Sequence, residues 1–177
     1  MADVLTPEQR QLNMSRIRGR DTKPEMIVRL GLHAGGFRYR LQDRQLPGRP
    51  DLVFPRYHAV IFVHGCFWHG HDCPMFKLPT TRREFWDAKI ASNRSRDERT
   101  ITALLESGWR VATVWECSLR GSGRLPEDEV LRRCQAFLLS EETAEIDISG
   151  AARTHKNSSR AQAEDLAHPH NPRATKL

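Results

Sequence analysis

No stretch of this chain carries the twenty or so consecutive apolar residues that a bilayer-spanning helix needs. Residues Met1 to Arg10 also lack the apolar core of a secretory signal. A cytoplasmic protein that does not enter a membrane is expected. Cysteine is scarce, with only Cys66, Cys73, Cys117 and Cys134. In a reducing compartment four thiols point to metal ligation or burial, not to a disulfide framework. No internal repeat is present, which leaves solenoid and propeller architectures without support. From about Ser149 aliphatic side chains nearly vanish, and Ala, Ser, Asn, His, Arg and Pro dominate. A segment of that kind cannot bury enough apolar surface to offset its ordering entropy, so the tail to Leu177 is expected to be disordered. His155, His168 and His170 are then solvated.

What remains is enough for one domain with its own core: 177 residues, 38% apolar and 28% charged. The net charge is +6, and residues 1–50 hold ten Lys/Arg against five Asp/Glu. A basic surface of this kind suits a polyanionic partner.

Two capping boxes open the chain. Thr6-Pro7-Glu8-Gln9 starts a basic helix that carries Leu12, Met14 and Ile17 among arginines and ends near Gly19, a helix better suited to lie across DNA than to fill a core. Thr22-Lys23-Pro24-Glu25 starts a second helix with Met26, Ile27, Leu30 and Leu32. Glu25 has two readings, a capping carboxylate and an acid reaching an active site. Phe37–Leu41, Pro50–Phe54 and His58–Val63 read as three strands joined by short turns, hence a meander. Thr81 is placed to cap a long helix from about Arg82 to Ser107. Its run from Lys89 to Asp97 is rich in groups that contact nucleic acid. Trp109–Trp115 reads as a central strand and Pro126–Leu139 as an amphipathic helix with Val130, Leu131, Cys134 and Phe137 inward, making Cys134 a buried thiol.

The chemistry is concentrated in His64-Gly65-Cys66-Phe67-Trp68-His69-Gly70-His71-Asp72-Cys73, which follows the apolar run Ala59–Val63. Cys66, His71 and Cys73 are zinc-type ligands within eight residues, and Cys117, after another strand, can supply the fourth of a closed tetrahedral site. The loop between Cys66 and Cys73 is poor in aliphatic side chains, and a metal would anchor it. Pro50-Asp51 and Val63-His64-Gly65 have the layout of a nuclease half-hairpin, in which an Asp on the first strand and groups on the second hold a divalent cation such as Mg²⁺. The second strand here lacks the usual acid and lysine. Only the backbone carbonyl of Val63 can ligate, and another group must take the proton from attacking water. His69 is the candidate, because an ordinary imidazole titrates near neutrality, with His64 and Asp97 placed to support it. Phe67 and Trp68 have two readings: periodicity sends one ring inward and one outward, or both form a wedge between base pairs, since unstacking costs least at a mismatch. Met14 would enter from the opposite groove.

These segments together, with Leu46-Pro47-Gly48-Arg49-Pro50-Asp51, the core Val60–His69, Thr81–Trp86 and Gly108–Cys117, closely resemble the very short patch repair (Vsr) endonucleases over roughly residues 8–140. The resemblance implies a restriction-endonuclease-like α/β fold: a central mixed β-sheet flanked by helices, with a structural zinc site. It implies a DNA-contacting helix in residues 1–20, an endonuclease domain in 21–148 and a tail in 149–177. The implied activity is a Mg²⁺-dependent nick 5′ of the T in a T:G mismatch left by deamination of 5-methylcytosine. By the same resemblance Asp51 and the Val63 carbonyl hold Mg²⁺, His69 is the general base, and Glu25, His64 and Asp97 support them. Cys66, His71, Cys73 and Cys117 hold structural Zn²⁺. Met14, Phe67 and Trp68 intercalate, and Lys89 and Asn93 read DNA. The expected partner is double-stranded DNA, with mismatch-repair proteins as candidate protein partners and a monomeric, nucleoid-associated state. Two positions depart from the family pattern: residue 63 is Val where Thr is common, and residue 70 is Gly where His occurs. Two competing readings are a non-catalytic zinc module that binds distorted DNA and an RNA-processing nuclease.

Overall fold

A computed structural model describes residues 19–151, together with Thr6, Gln9 and Leu12. Its centre is a five-stranded mixed sheet in the spatial order β1-β2-β3-β4-β5. The strands are β1 (Arg40–Leu41), β2 (Leu52–Phe54), β3 (Ala59–His64), β4 (Arg110–Trp115) and β5 (Glu145–Ile148). β1, β2 and β3 run antiparallel as the expected meander, with Leu52 opposite Ile61 and Phe54 opposite Ala59. β3, β4 and β5 are parallel, with Val63 beside Val114 and Val114 beside Ile148. Parallel neighbours need crossovers. The first is α2 (Arg83–Glu106); the second contains α3 (Glu116–Leu119) and α4 (Glu127–Leu139). The remaining helix, α1 (Lys23–Ala34), precedes the sheet and packs with α4.

Side-chain alternation along the strands sorts the core into two faces. Leu52, Phe54, Ala59, Ile61, Val63, Ala112 and Val114 meet Val28 and Leu32 of α1 and Val130, Cys134 and Phe137 of α4. Val53, Val60, Phe62 and Val111 meet Leu104 of α2. β3 is covered on both faces, which is why it reads as an unbroken apolar run. By the same alternation, Asp51 and His64 fall on the α2 face.

Both capping boxes form. The Thr6 N–H donates to Gln9 Oε1 at 2.9 Å and the Gln9 N–H to Thr6 Oγ1 at 3.2 Å. The Glu25 N–H donates to Thr22 Oγ1 at 3.4 Å, while the Glu25 carboxylate takes the Thr22 hydroxyl and the Asp21 N–H. Cys134 is fully buried, and burial pushes its thiol up to about 12.

Several boundaries differ from the sequence expectation. The strand expected over 37–41 pairs only at Arg40–Leu41, because its partner β2 is three residues long. β3 begins at Ala59, as His58 adopts a left-handed conformation at φ 47 after a 3-10 turn. The long helix starts at Arg83 with no side-chain cap, since its cap position is Arg82 at φ 53 and not Thr81. The most central strand is β3, not β4. β5 had no sequence signal: Glu145 and Asp147 stand exposed on an edge strand, where charge protects against pairing. The tail beyond residue 151 and most of the segment expected to form the N-terminal helix, including Met14, lie outside the described residues.

Candidate functional site

In an open α/β sheet, ligands bind beyond the carboxyl ends of the parallel strands. Here β3 and β4 end side by side at His64 and Trp115, and all the chemistry singled out above collects there. Three clusters can be separated.

The first is built on Asp51 and β3. The Val63 N–H donates to Asp51 Oδ2 at 2.7 Å. A residue's N–H and C=O in a strand face the same neighbour. The Val63 carbonyl is therefore directed to the Asp51 side, past the end of the β2 ladder. Burial drives the Asp51 carboxyl up to about 6 from an ordinary 3.8; the nearby Glu25 adds to this, while the Val63 bond, His69 and Arg29 oppose it. A desolvated acid next to a main-chain carbonyl is a demanding place for a carboxylate unless a cation joins it.

The second cluster is His64, His69 and Asp97. Asp97 Oδ2 bonds His69 Nδ1 at 2.5 Å, which leaves Nε2 of the same ring for chemistry. Burial works against the Asp97 carboxylate, but the His69 bond and the field of both imidazoles outweigh it, so the group is held below the usual carboxylate range. His64 lies flat against His69, with ring centroids 3.8 Å apart and planes 5° apart. Burial, with the neighbouring His69, lowers His64 to about 3, so this ring stays neutral. Glu25, Asp51, Val63, His64, His69 and Asp97 all line one cavity of about 540 Å³. The Glu25 carboxylate caps α1 from a buried position on the wall of that cavity.

The third cluster is Cys66, His71, Cys73 and Cys117, whose ligand atoms lie within 4.8 Å of one another. His71 Nδ1 is 3.6 Å from Cys66 Sγ and 3.5 Å from Cys117 Sγ. The Cys117 and Gly150 amides point at the sulfurs of Cys66 and Cys117. Hydrogen bonding between the two thiols holds Cys117 below the ordinary thiol range and pushes Cys66 above it. A tight, mostly buried set of three sulfurs and one nitrogen can hold a metal ion. Trp115 stacks on His71, with centroids 4.1 Å apart and planes 11° apart.

Between the second and third clusters, residues 65–71 form a hydrogen-bonded finger in which the Trp68 and His69 amides donate to the Gly65 carbonyl and the His71 amide donates to the Cys66 carbonyl. Phe67 and Trp68 are half-buried on it. Phe67 packs edge-on against Trp68 at 5.2 Å and against Trp86 at 5.3 Å, and Trp86 meets Phe85 at 5.3 Å. Trp86 and Phe85 extend the aromatic ledge from α2, and sequence reasoning placed neither in the site. The only signal was the Thr81–Trp86 segment of the resemblance, since no spacing rule joins residues 67 and 86. Asn93, expected to read DNA, is buried and donates from Nδ2 to the Trp68 carbonyl at 2.8 Å. Lys89, one turn earlier, is exposed. Gly70 has φ +60, and a Cβ there would lie 2.6 Å from Ile90 Cγ2. This close approach of finger and helix, with the positive φ, favours glycine at position 70.

Comparison with known proteins gives this geometry a frame. The family model for DNA mismatch endonuclease Vsr matches residues 2–75. The chain is 47% identical to the DNA mismatch endonuclease Vsr of Escherichia coli (strain K12) over 151 residues, 85% of this chain and 97% of that protein. The chain belongs to the Vsr family of DNA mismatch endonucleases. Other Vsr-like relatives are nicking enzymes. The type II nicking enzyme V.XorIIP of Xanthomonas oryzae pv. oryzae is 50% identical over 71% of this chain and 92% of its own length. V.NmeAIP of Neisseria meningitidis is 42% identical over 68% and 86% respectively. The Vsr model match contains Asp51 and the whole His64–Cys73 finger but neither Asp97 nor Cys117; the fold brings those two into the site. Among the described residues no helix is long and apolar enough to cross a membrane.

Proposed function

We propose that this protein is a strand-specific DNA mismatch endonuclease that nicks 5′ of the T in a T:G mismatch, the lesion left when 5-methylcytosine deaminates. One observation carries the reading: half-buried Asp51 and the His69–Asp97 pair line the same cavity, beside an aromatic finger. A metal-ligand acid, an oriented base and a wedge are the three parts that a cut at a distorted step requires.

Asp51 and the Val63 carbonyl would hold a divalent cation, for which Mg²⁺ is the fit. The donors are hard oxygens, and so small a set leaves positions for water and phosphate. Bound there, the cation would supply Lewis-acid polarisation of the phosphodiester and offset developing charge. The residues of the chain do the rest. His69 accepts the proton of the attacking water at Nε2. Asp97 fixes the ring through Nδ1 and stabilises the imidazolium that results. His64, neutral and stacked on His69, keeps the ring plane in place and excludes water from that side. Glu25 adds negative charge to the cation side of the cavity. Val63 serves this role as well as Thr would, because ligation uses the main chain.

The Cys66–His71–Cys73–Cys117 set fits structural zinc. Ligands at about 2.3 Å (sulfur) and 2.0–2.1 Å (nitrogen) on a tetrahedron lie about 3.5–3.6 Å apart, which agrees with the His71 separations of 3.5 and 3.6 Å. Zinc would pin the finger at both ends and through Cys117 to β4. Phe67 and Trp68, backed by Trp86, would then enter the base stack, with Met14 entering from the other groove. Lys89 is placed to reach DNA, while Asn93 acts through Trp68. The same reading takes the enzyme as a cytoplasmic, nucleoid-associated monomer with mismatch-repair proteins as partners.

A nicking assay on duplexes carrying each possible mismatch, with and without Mg²⁺, tests this. Cleavage of one strand at T:G, dependent on Mg²⁺ and lost in Asp51→Ala, is expected. Equal nicking by wild type and Asp51→Ala would remove the catalytic assignment and favour a zinc-containing module that only binds distorted DNA.

A further inference from the structure

The cavity has a second population of side chains that the mechanism above leaves unused. Its wall includes Arg44 and Arg49 from the loop between β1 and β2, and Arg96 from α2 on the facing side. Arg44 and Arg49 are exposed and make no ion pair with any described residue. Arg96 stands 3.7 Å from Asp97 with its side chain 59% exposed.

The loop that carries the first two is held down. Gly48 sits between them at φ +70, and a Cβ there would lie 2.3 Å from Thr100 Cγ2, so its backbone rests directly on α2. Arg49 takes a left-handed conformation at φ 51 immediately before Pro50 and Asp51. A non-glycine residue is uncommon in that region. The loop therefore delivers two guanidinium groups to the cavity in a fixed register with the metal-ligand acid.

The cavity needs such cations. Its own acids are already engaged: Glu25 by the Asp21 amide and Thr22 hydroxyl, Asp97 by His69. An incoming phosphodiester brings one negative charge, and attack by water adds another as the fifth oxygen bond forms. Strand β3 offers no lysine to meet that charge. Guanidinium groups bind phosphate oxygens in a fork and stay protonated at all working pH values.

We propose that Arg44, Arg49 and Arg96 form a clamp on the sugar-phosphate backbone of the nicked strand, with Arg49 on the scissile phosphate and Arg44 on a neighbouring one. The inference rests on the endonuclease reading and deepens it. Arg49 then supplies, from the preceding loop, the cation that the second strand of the hairpin lacks. A clamp of this kind reads no sequence, so it acts equally on matched and mismatched DNA.

The test uses the full chain with Arg44→Ala, Arg49→Ala, the double variant and Arg49→Lys. Arg132→Ala, on α4 and outside the cavity, is the control. Binding to T:G and fully matched duplexes is followed by fluorescence anisotropy across a salt series without divalent metal. Each alanine is expected to reduce the slope of log K against log [salt] by about one and to weaken both duplexes alike, with Arg49→Lys keeping the slope. In Mg²⁺ and saturating T:G duplex, Arg49→Ala is expected to lower the single-turnover nicking rate by about tenfold or more, and Arg132→Ala to leave it at the wild-type value. A double variant with the wild-type slope overturns the clamp while leaving the DNA reading intact, as does an equal slope change in Arg132→Ala. Wild-type protein that shows no salt-dependent DNA binding overturns both.

Discussion

The proposed mechanism needs Asp51 as an ionised acid, and the fold works against that charge. Its carboxyl is raised to about 6 chiefly because it is desolvated. A carboxyl whose folded value lies above its unfolded one contributes stability at pH below about 4, and that contribution is lost as pH rises through about 6. Above that, ionised Asp51 destabilises the metal-free fold. Asp51→Asn keeps an oxygen to accept from the Val63 amide and removes the charge. The variant should be more stable than wild type at pH 8 by roughly 1–2 kcal/mol, with the gain shrinking towards pH 4, although it cannot nick. Thermal melts of both proteins in chelator at the two pH values check this, and added Mg²⁺ should raise the wild-type Tm only. A variant less stable than wild type at pH 8 would show that Asp51 is not strained by burial. Burial and the neighbouring His69 hold the His64 imidazole near 3, so the proposed mechanism uses it as a neutral plate, not a base.

Among the elements, the finger over residues 65–71 is the least able to hold itself. It has no regular secondary structure, and its own hydrogen bonds are turns. What fixes it lies at its ends: the cluster of Cys66, His71 and Cys73 with Cys117 from the start of α3, and the amide of Asn93 under Trp68. Cys117→Ala should therefore lower bound zinc and stability together, the latter by roughly 2–4 kcal/mol. Atomic absorption and thermal melting on the same preparation measure both. Undiminished zinc would take Cys117 out of the site. The sequence made this element legible because ligand types crowd within eight residues. It could not show Asn93 serving the finger, because a polar residue on a polar helix run looks like any solvated position until the helix is docked.

At the scale of the molecule, the parallel pair β3–β4 brings cavity and metal cluster to one end of the sheet, and α2 runs past both. Its Asn93 and Asp97 bond the Trp68 carbonyl and His69, and Trp86 near its start packs against Phe67. DNA deep enough in the cavity to reach Asp51 would therefore meet the aromatic ledge at the same time. Trp68→Ala is expected to weaken binding to a T:G duplex by ~1–3 kcal/mol, as loss of one base-stacking aromatic would, and to change matched-duplex binding little. Competition titrations with the two duplexes measure the difference. Equal losses on both would make Trp68 a packing residue.

The amino-acid sequence alone determined the meander, the buried strand β3, both capping boxes, the Cys/His cluster that can hold a metal ion and the acid at residue 51. Each of these is written in local pattern: apolar runs, cap spacing, and ligand chemistry close in the chain. Tertiary structure decided what depends on distant segments meeting. It paired His69 with Asp97 across 28 residues, set Trp86 behind Phe67, turned Asn93 inward and aimed Arg44 and Arg49 into the cavity. It also recruited β5, whose alternating acids become a strand only once β4 offers an edge to pair with. Spacing along a chain constrains only what a helix, strand or turn can bring together, and contacts across the sheet end are set by how those elements pack.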